Sequence, residues 1–238
     1  PMPDPGEDHL FQYLVDGQLR IADPYSTLIL DPGYDASIGR NFPGLPSYPS
    51  GKTTGIITWI RPEVPFTWQF DNYIPPATGN LNVYELLIRD LFEDHSYASL
   101  LDTLDYLKRL GINAIELMPV AEFEGNESWG YNPDFQMALD KYYGTPEAFK
   151  AVVDGAHERG IAVILDVVFN HITGASPLAQ LYWNSTQNQP AADNPWLNET
   201  ARHPFNVFND FNHESLATQL YMDRVLKYWV DYFHIDGY

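Results

Sequence analysis

The strongest constraint in this chain is an alternation of strand-type and helix-type patterns that begins near residue 81. Val83–Ile88 reads as a strand. Leu100, Leu101, Leu104, Leu107 and Leu110 then recur at helical spacing, with Ser96 as the cap and Gly111 as the stop. Ile112–Leu117 is the next strand. Thr145-Pro146-Glu147 opens a second helix: Thr accepts from orphan N–H groups, Pro suits the first helical position, and Glu favours the positive end. Gly160 closes it. Ile161–Phe169 is almost continuously apolar, as a parallel strand covered on both faces should be. Leu216, Leu220, Leu226, Trp229, Val230 and Phe233 make a third amphipathic helix, and His234–Asp236 begins a fourth strand. The order β-α-β-α-β-α-β predicts a parallel sheet with right-handed crossovers. A doubly wound sheet and a (β/α) barrel both satisfy it.

Residues 1–80 read differently. They are rich in Pro and Gly, and short apolar pieces such as Phe11–Val15 and Ile56–Ile60 lie between turn signals. This reads as the end of an all-β unit over 1–75, with Pro75–Gly79 as the linker to the α/β part over 76–238. At 238 residues the chain is about one and a half typical domains of roughly 150 residues each. Both ends read as cuts.

Charge and composition exclude several functions. With 13 Lys and Arg against 32 Asp and Glu, the net charge is −19, a poor surface for nucleic acid or anionic membrane. No apolar run approaches the ~20 residues that span a bilayer. Without cysteine there is no disulfide, and localisation is left open. Gly51-Lys52-Thr53 resembles the end of a phosphate-binding loop, but Pro46 stands where that motif needs Gly and no helix follows.

The two long loops, 119–144 and 170–213, both follow strands and so lie at the strands' C-terminal edge, where α/β folds place their sites. In Asp166-Val167-Val168-Phe169-Asn170-His171, a charged residue ends an apolar strand and two polar ones follow. A lone strand-end Asp commonly takes up backbone N–H groups of the next loop. With Asn170 and His171 beside it, Asp166 is instead a candidate for a ligand cleft. Ser128-Trp129-Gly130-Tyr131-Asn132-Pro133 lies in the other loop. Buried core aromatics are the alternative there, but a polar, Gly-containing loop favours Trp129 and Tyr131 stacking on sugar rings.

Together these segments resemble the alpha-amylase family of glycoside hydrolases and transglycosidases. Asp166–His171 resembles the family's first conserved region, and His234-Ile235-Asp236-Gly237-Tyr238 the opening of its second. Asn82–Glu85 and Ala114–Val120 resemble its first two barrel strands. Trp129–Pro133, with Tyr143-Gly144-Thr145-Pro146 and Phe149-Lys150, is most similar to the branching, debranching and malto-oligosyltrehalose-hydrolysing members. The resemblance implies strands 1–4 of a (β/α)8 TIM barrel, preceded by the end of a β-sandwich module (Ala22–Ser26, Leu30–Pro32).

The resemblance also implies a retaining mechanism on α-glucans, with one carboxylate as nucleophile and another carboxyl group as acid/base. Tyr131 matches the Tyr that stacks on the sugar, His171 the His that binds a hydroxyl, and Asp166 the Asp that holds the catalytic Arg. Trp129 joins them as substrate-binding. The nucleophile, the acid/base and the third acid fall beyond Tyr238, and Asp236 matches a structural Asp. No residue of this chain is therefore expected to be catalytic, and the chain alone is expected to be inactive, requiring the remainder of the barrel from the same or another chain. No cofactor is required on this reading. Asn170 matches a position that binds calcium in many members, and 172–213 sits where those members insert a small calcium-assisted domain. One Asn is still far from the 6–8 oxygens that calcium takes. The alternative is a non-catalytic barrel that binds glycans or protein partners.

Overall fold

The structure, a computed structural model, describes residues 6–238. The amino-terminal part contains β1 (His9–Phe11), β2 (Tyr13–Val15), β3 (Leu19–Ile21), β4 (Ile29–Leu30) and β5 (Ile57–Ile60). Strands β1, β5 and β4 form an antiparallel sheet in that order, and β2 and β3 form a hairpin. Leu28, Leu30, Ile38, Phe42, Ile57 and Trp59 make a small core beneath them. At Pro75–Gly79, the expected linker, a 3-10 turn occupies Thr78–Asn80.

The α/β part follows: β6 (Val83–Leu86), α1 (Ile88–Leu91), α2 (Tyr97–Arg109), β7 (Ala114–Leu117), α3 (Pro146–Glu158) and β8 (Ala162–Leu165). Then come β9 (His171–Ile172), α4 (Pro177–Gln180), β10 (Trp183–Asn184), β11 (Gln189–Pro190), β12 (Asn209–Asp210) and α5 (Leu216–Phe233). Strands β6, β7 and β8 pair in parallel and in register. Where a fourth strand is expected, over His234–Asp236, there is only a single parallel bridge, Ile164 to Gly237, and the Asp236 N–H donates to Val163 O at 2.8 Å.

Local signals set the helices. The Ser96 hydroxyl accepts from Ser99 N, and the Thr145 hydroxyl from Ala148 N, so both caps stand where the sequence places them. Gly160 turns away from α3 at φ +67°. In α5, however, Leu216, Leu220 and Val230 face solvent. The buried face is Thr218, Tyr221, Met222, Val225, Trp229 and Phe233. Trp229 and Phe233 pack on Phe149 of α3, and that rotation of the helix carries Leu216 and Leu220 outward. The expected long strand 161–169 is also short. Residues 166–170 leave the sheet, and apolar Val167, Val168 and Phe169 pack as loop.

Leu86, Ile115, Leu117, Val163 and Leu165 join one core with Leu100 and Leu104 of α2, Val152 and Val153 of α3, and Trp229 of α5. All three long helices therefore cover one face of the sheet. The opposite face carries Val83 and Glu85 exposed, and Glu116 and Ile164 half-buried. That asymmetry fits the wall of a barrel; a doubly wound sheet carries helices on both faces.

The two parts share an interior. Ala22 and Ile29 pack with Phe135 and Ala138, and Asn41 Nδ2 donates to Asp94 O and Tyr142 O at 2.9 and 2.7 Å. Lys141, fully buried, pairs with Glu122 and lies 3.4 Å from Asp35 of the amino-terminal part. Burial pushes the Lys141 ammonium down, but Glu122 and Asp35 outweigh it and hold it above its ordinary value.

Candidate active site

Sequence and packing together bring the loop after β7 over the end of β8. Gly130 has φ +87°, and a Cβ placed there would lie 2.6 Å from Pro119 Cβ and 2.9 Å from Pro119 O. Only glycine lets this loop touch Pro119, two residues past the end of β7. Its amide donates to Ser128 Oγ at 3.0 Å, and Ser128 in turn bonds Asn132. The next residue, Tyr131, is thereby carried to the edge of the sheet, where its hydroxyl donates to Asp166 Oδ2 at 2.5 Å.

His171 completes the arrangement. Its Nε2 lies 2.8 Å from Tyr131 O, and its Nδ1 2.8 Å from Asn170 Nδ2. A carbonyl can only accept, so Nε2 carries the proton and Nδ1 accepts from the Asn170 amide. The ring is buried, with Phe208 packed against it at 5.4 Å. Both ring nitrogens are therefore engaged within the protein. The structure brings Tyr131, Asp166, Asn170 and His171 together. Trp129 stands apart at 59% exposure on the rim.

The electrostatics are acidic. Glu85 of β6 and Glu116 of β7 are register partners on the open face of the sheet. Burial, then the charges of Glu85 and Asp166, raises Glu116 above the usual carboxylate range. The hydrogen bond to Asp166, followed by burial and the three nearby carboxylates, pushes the Tyr131 phenol up to about 12. Tyr131 is thus a proton donor to Asp166 throughout the neutral range. Sequence reasoning quoted Glu85 and Glu116 as strand residues and missed them as part of the site. Their signal was a charged residue at the same place in two adjacent, otherwise apolar strands.

Asp236 has a separate place. Its Oδ2 accepts from Val163 N at 2.7 Å and lies 2.9 Å from His157 Nε2, and Tyr73 stacks on His157 at 4.3 Å. It clamps this segment to β8. The Asn170 amide nitrogen is turned to His171. Among the described residues no three His, Asp or Glu side chains converge to hold a cation.

Residues 97–204 match the family model described as the alpha amylase catalytic domain. Over this stretch the chain belongs to the alpha-amylase family. It is 32% identical over 180 residues to the malto-oligosyltrehalose trehalohydrolase of Saccharolobus solfataricus, a match covering 75% of this chain and 30% of that protein. It is 30% identical over 249 residues to the chloroplastic isoamylase SU1 of Zea mays, covering 90% of this chain and 30% of that one. A solved Salmonella typhimurium structure that carries an alpha amylase name superposes with a TM-score of 0.70 at 24% identity, covering 95% of this chain and 33% of that one. This chain thus spans about a third of the length of these relatives. The family's fold is the TIM barrel, in keeping with a sheet that bears helices on one face only.

Proposed function

We propose that this chain is the substrate-binding half of an α-glucan-acting, retaining glycoside hydrolase or transglycosidase. It comprises barrel strands 1–4, preceded by the end of a β-sandwich module over 1–75. The observation that carries this reading is the Tyr131–Asp166–His171 arrangement, built on the strand ends of a chain whose relatives are named as trehalohydrolase, isoamylase, debranching and branching enzymes. A neutral sugar suits the exposed ring of Tyr131 and the rim ring of Trp129. The carboxylates of Glu85, Glu116 and Asp166 suit a transition state that gains positive charge at the anomeric carbon. His171 serves a sugar hydroxyl through Nδ1 once exposed Asn170 swings off it, while its Nε2 goes on holding the Tyr131 carbonyl. The nucleophile and the acid/base come from the rest of the protein, so this chain by itself turns over no glucan. A calcium ion at Asn170 would need further oxygen ligands beside that one side chain.

The test is to express the complete reading frame that contains this chain and follow reducing ends and chain length on starch, glycogen and maltodextrin. Turnover on one of them supports the reading. Sugar binding with no turnover would make the protein a glycan-binding barrel, and neither binding nor turnover would remove the reading altogether.

A further inference from the structure

A groove of about 810 Å³ lies between two parts of the chain that are far apart in sequence: the β2–β3 hairpin turn and the α4–β10 stretch of the insertion. It is tied to the candidate site through the chain. Gly174 lines the groove and follows His171 by three residues, so at most about 11 Å of chain separates them. Thr173 between them is fixed to the loop that carries Tyr131: its amide donates to Pro133 O at 3.0 Å and its hydroxyl bonds Asp134.

The lining has the chemistry of a sugar site. Tyr182 and Trp183 supply aromatic faces, and Gln18 and Gln180 supply amides. Gln180 donates one N–H to Ala175 O at 2.7 Å, which orients its carbonyl. Tyr182 is half exposed and held at φ +52°, a conformation that costs a non-glycine residue stability. Its carbonyl accepts from Ala191 N at 2.7 Å, and Trp196 packs on its ring at 6.3 Å, so the strained residue is braced from both sides. Among the described residues no Lys or Arg lines the groove, and Asp16 is its one charged side chain, which disfavours phosphate and other anions. The two aromatic faces and two amides suit a ligand with apolar faces and hydroxyl edges, and a carboxylate such as Asp16 can accept from a hydroxyl.

We propose that this groove binds the distal part of the same α-glucan chain whose nearer residues lie at Tyr131. It thereby makes the protein prefer long chains to short ones. The inference rests on the reading under Proposed function.

The test uses the complete reading frame, with maltotriose and a long maltodextrin as probes in calorimetric titrations. Tyr182→Gly removes the ring and also relieves the left-handed backbone, so its melting temperature holds or rises. Trp183→Ala is the second variant, and Tyr106→Ala, an exposed tyrosine on α2, is the control. Either groove variant should reduce the preference for maltodextrin over maltotriose by about fivefold or more, the scale on which a contact counts in binding. Tyr106→Ala should leave it unchanged. An unchanged preference in both groove variants, or an equal loss on both probes, overturns the inference while the reading of the site stands. Wild-type protein that binds neither probe overturns both.

Discussion

Replacing Gly130 with alanine tests how the loop reaches the site. Two effects oppose the methyl group. At φ +87° an L-residue is in the left-handed region, worth roughly 1–2 kcal/mol. The methyl would also meet Pro119 Cβ at 2.6 Å, an overpacking of the kind that costs about 1–3 kcal/mol. Lower entropy in the unfolded chain returns roughly 0.4–1 kcal/mol. The expected net loss is about 1–5 kcal/mol by denaturant titration, by the same principles. Two other glycines separate the effects. Gly17 has φ +70° with nothing within 4 Å of its added methyl, so Gly17→Ala should lose only the backbone part. Gly79 has neither problem and should gain slightly. The series should therefore order as Gly79, Gly17, Gly130. If Gly130→Ala is no worse than Gly17→Ala, the contact with Pro119 does not hold the loop, and the account of how Tyr131 is placed fails.

Three further outcomes follow from the buried charges. Lys141→Met leaves Glu122, Asp140 and Asp35 without their cation, a loss of about 3–5 kcal/mol that should grow as pH rises and these groups ionise; a constant loss from pH 5 to 8 would contradict it. Burial raises Asp134 to about 7 and Glu122, against the pull of Lys141, also to about 7. Folded values above the unfolded ones give stability that is present below about pH 4 and lost as pH passes 7. Asp134→Asn should therefore flatten part of that fall in denaturation midpoints measured at successive pH values. Asp236→Ala removes the acceptor of the Val163 amide and the partner of His157, and should cost about 1–3 kcal/mol; hydrogen exchange at Val163 as slow as in wild type would argue against the clamp.

Local signals were readable in the sequence. Ser96 and Thr145 cap their helices because an N-cap needs only its own next three residues. The strand order was readable because apolar runs and turns recur over short distances. Asp166, Asn170 and His171 stood out because charge and polarity at a strand end contradict the apolar run before them, and Tyr131 because it is an aromatic in a polar, Gly-containing loop. What depended on partners far along the chain was not readable. A buried Lys141 looks like any lysine until Glu122 and Asp35 arrive from either side. The outward turn of Leu216 and Leu220 depends on where Phe149 meets α5. The engagement of both His171 nitrogens depends on the Tyr131 carbonyl, forty residues back.

The most direct test of the central claim is the affinity of the complete reading frame for maltotriose, measured for wild type, Tyr131→Ala and Asp166→Asn. On the proposed reading Tyr131 carries the stacking ring, and its hydroxyl's bond to Asp166 orients it. Both variants should therefore weaken binding by about tenfold or more, roughly 1.4 kcal/mol, with melting temperatures close to wild type. Wild-type affinity in both variants would contradict the claim that these strand ends hold the sugar.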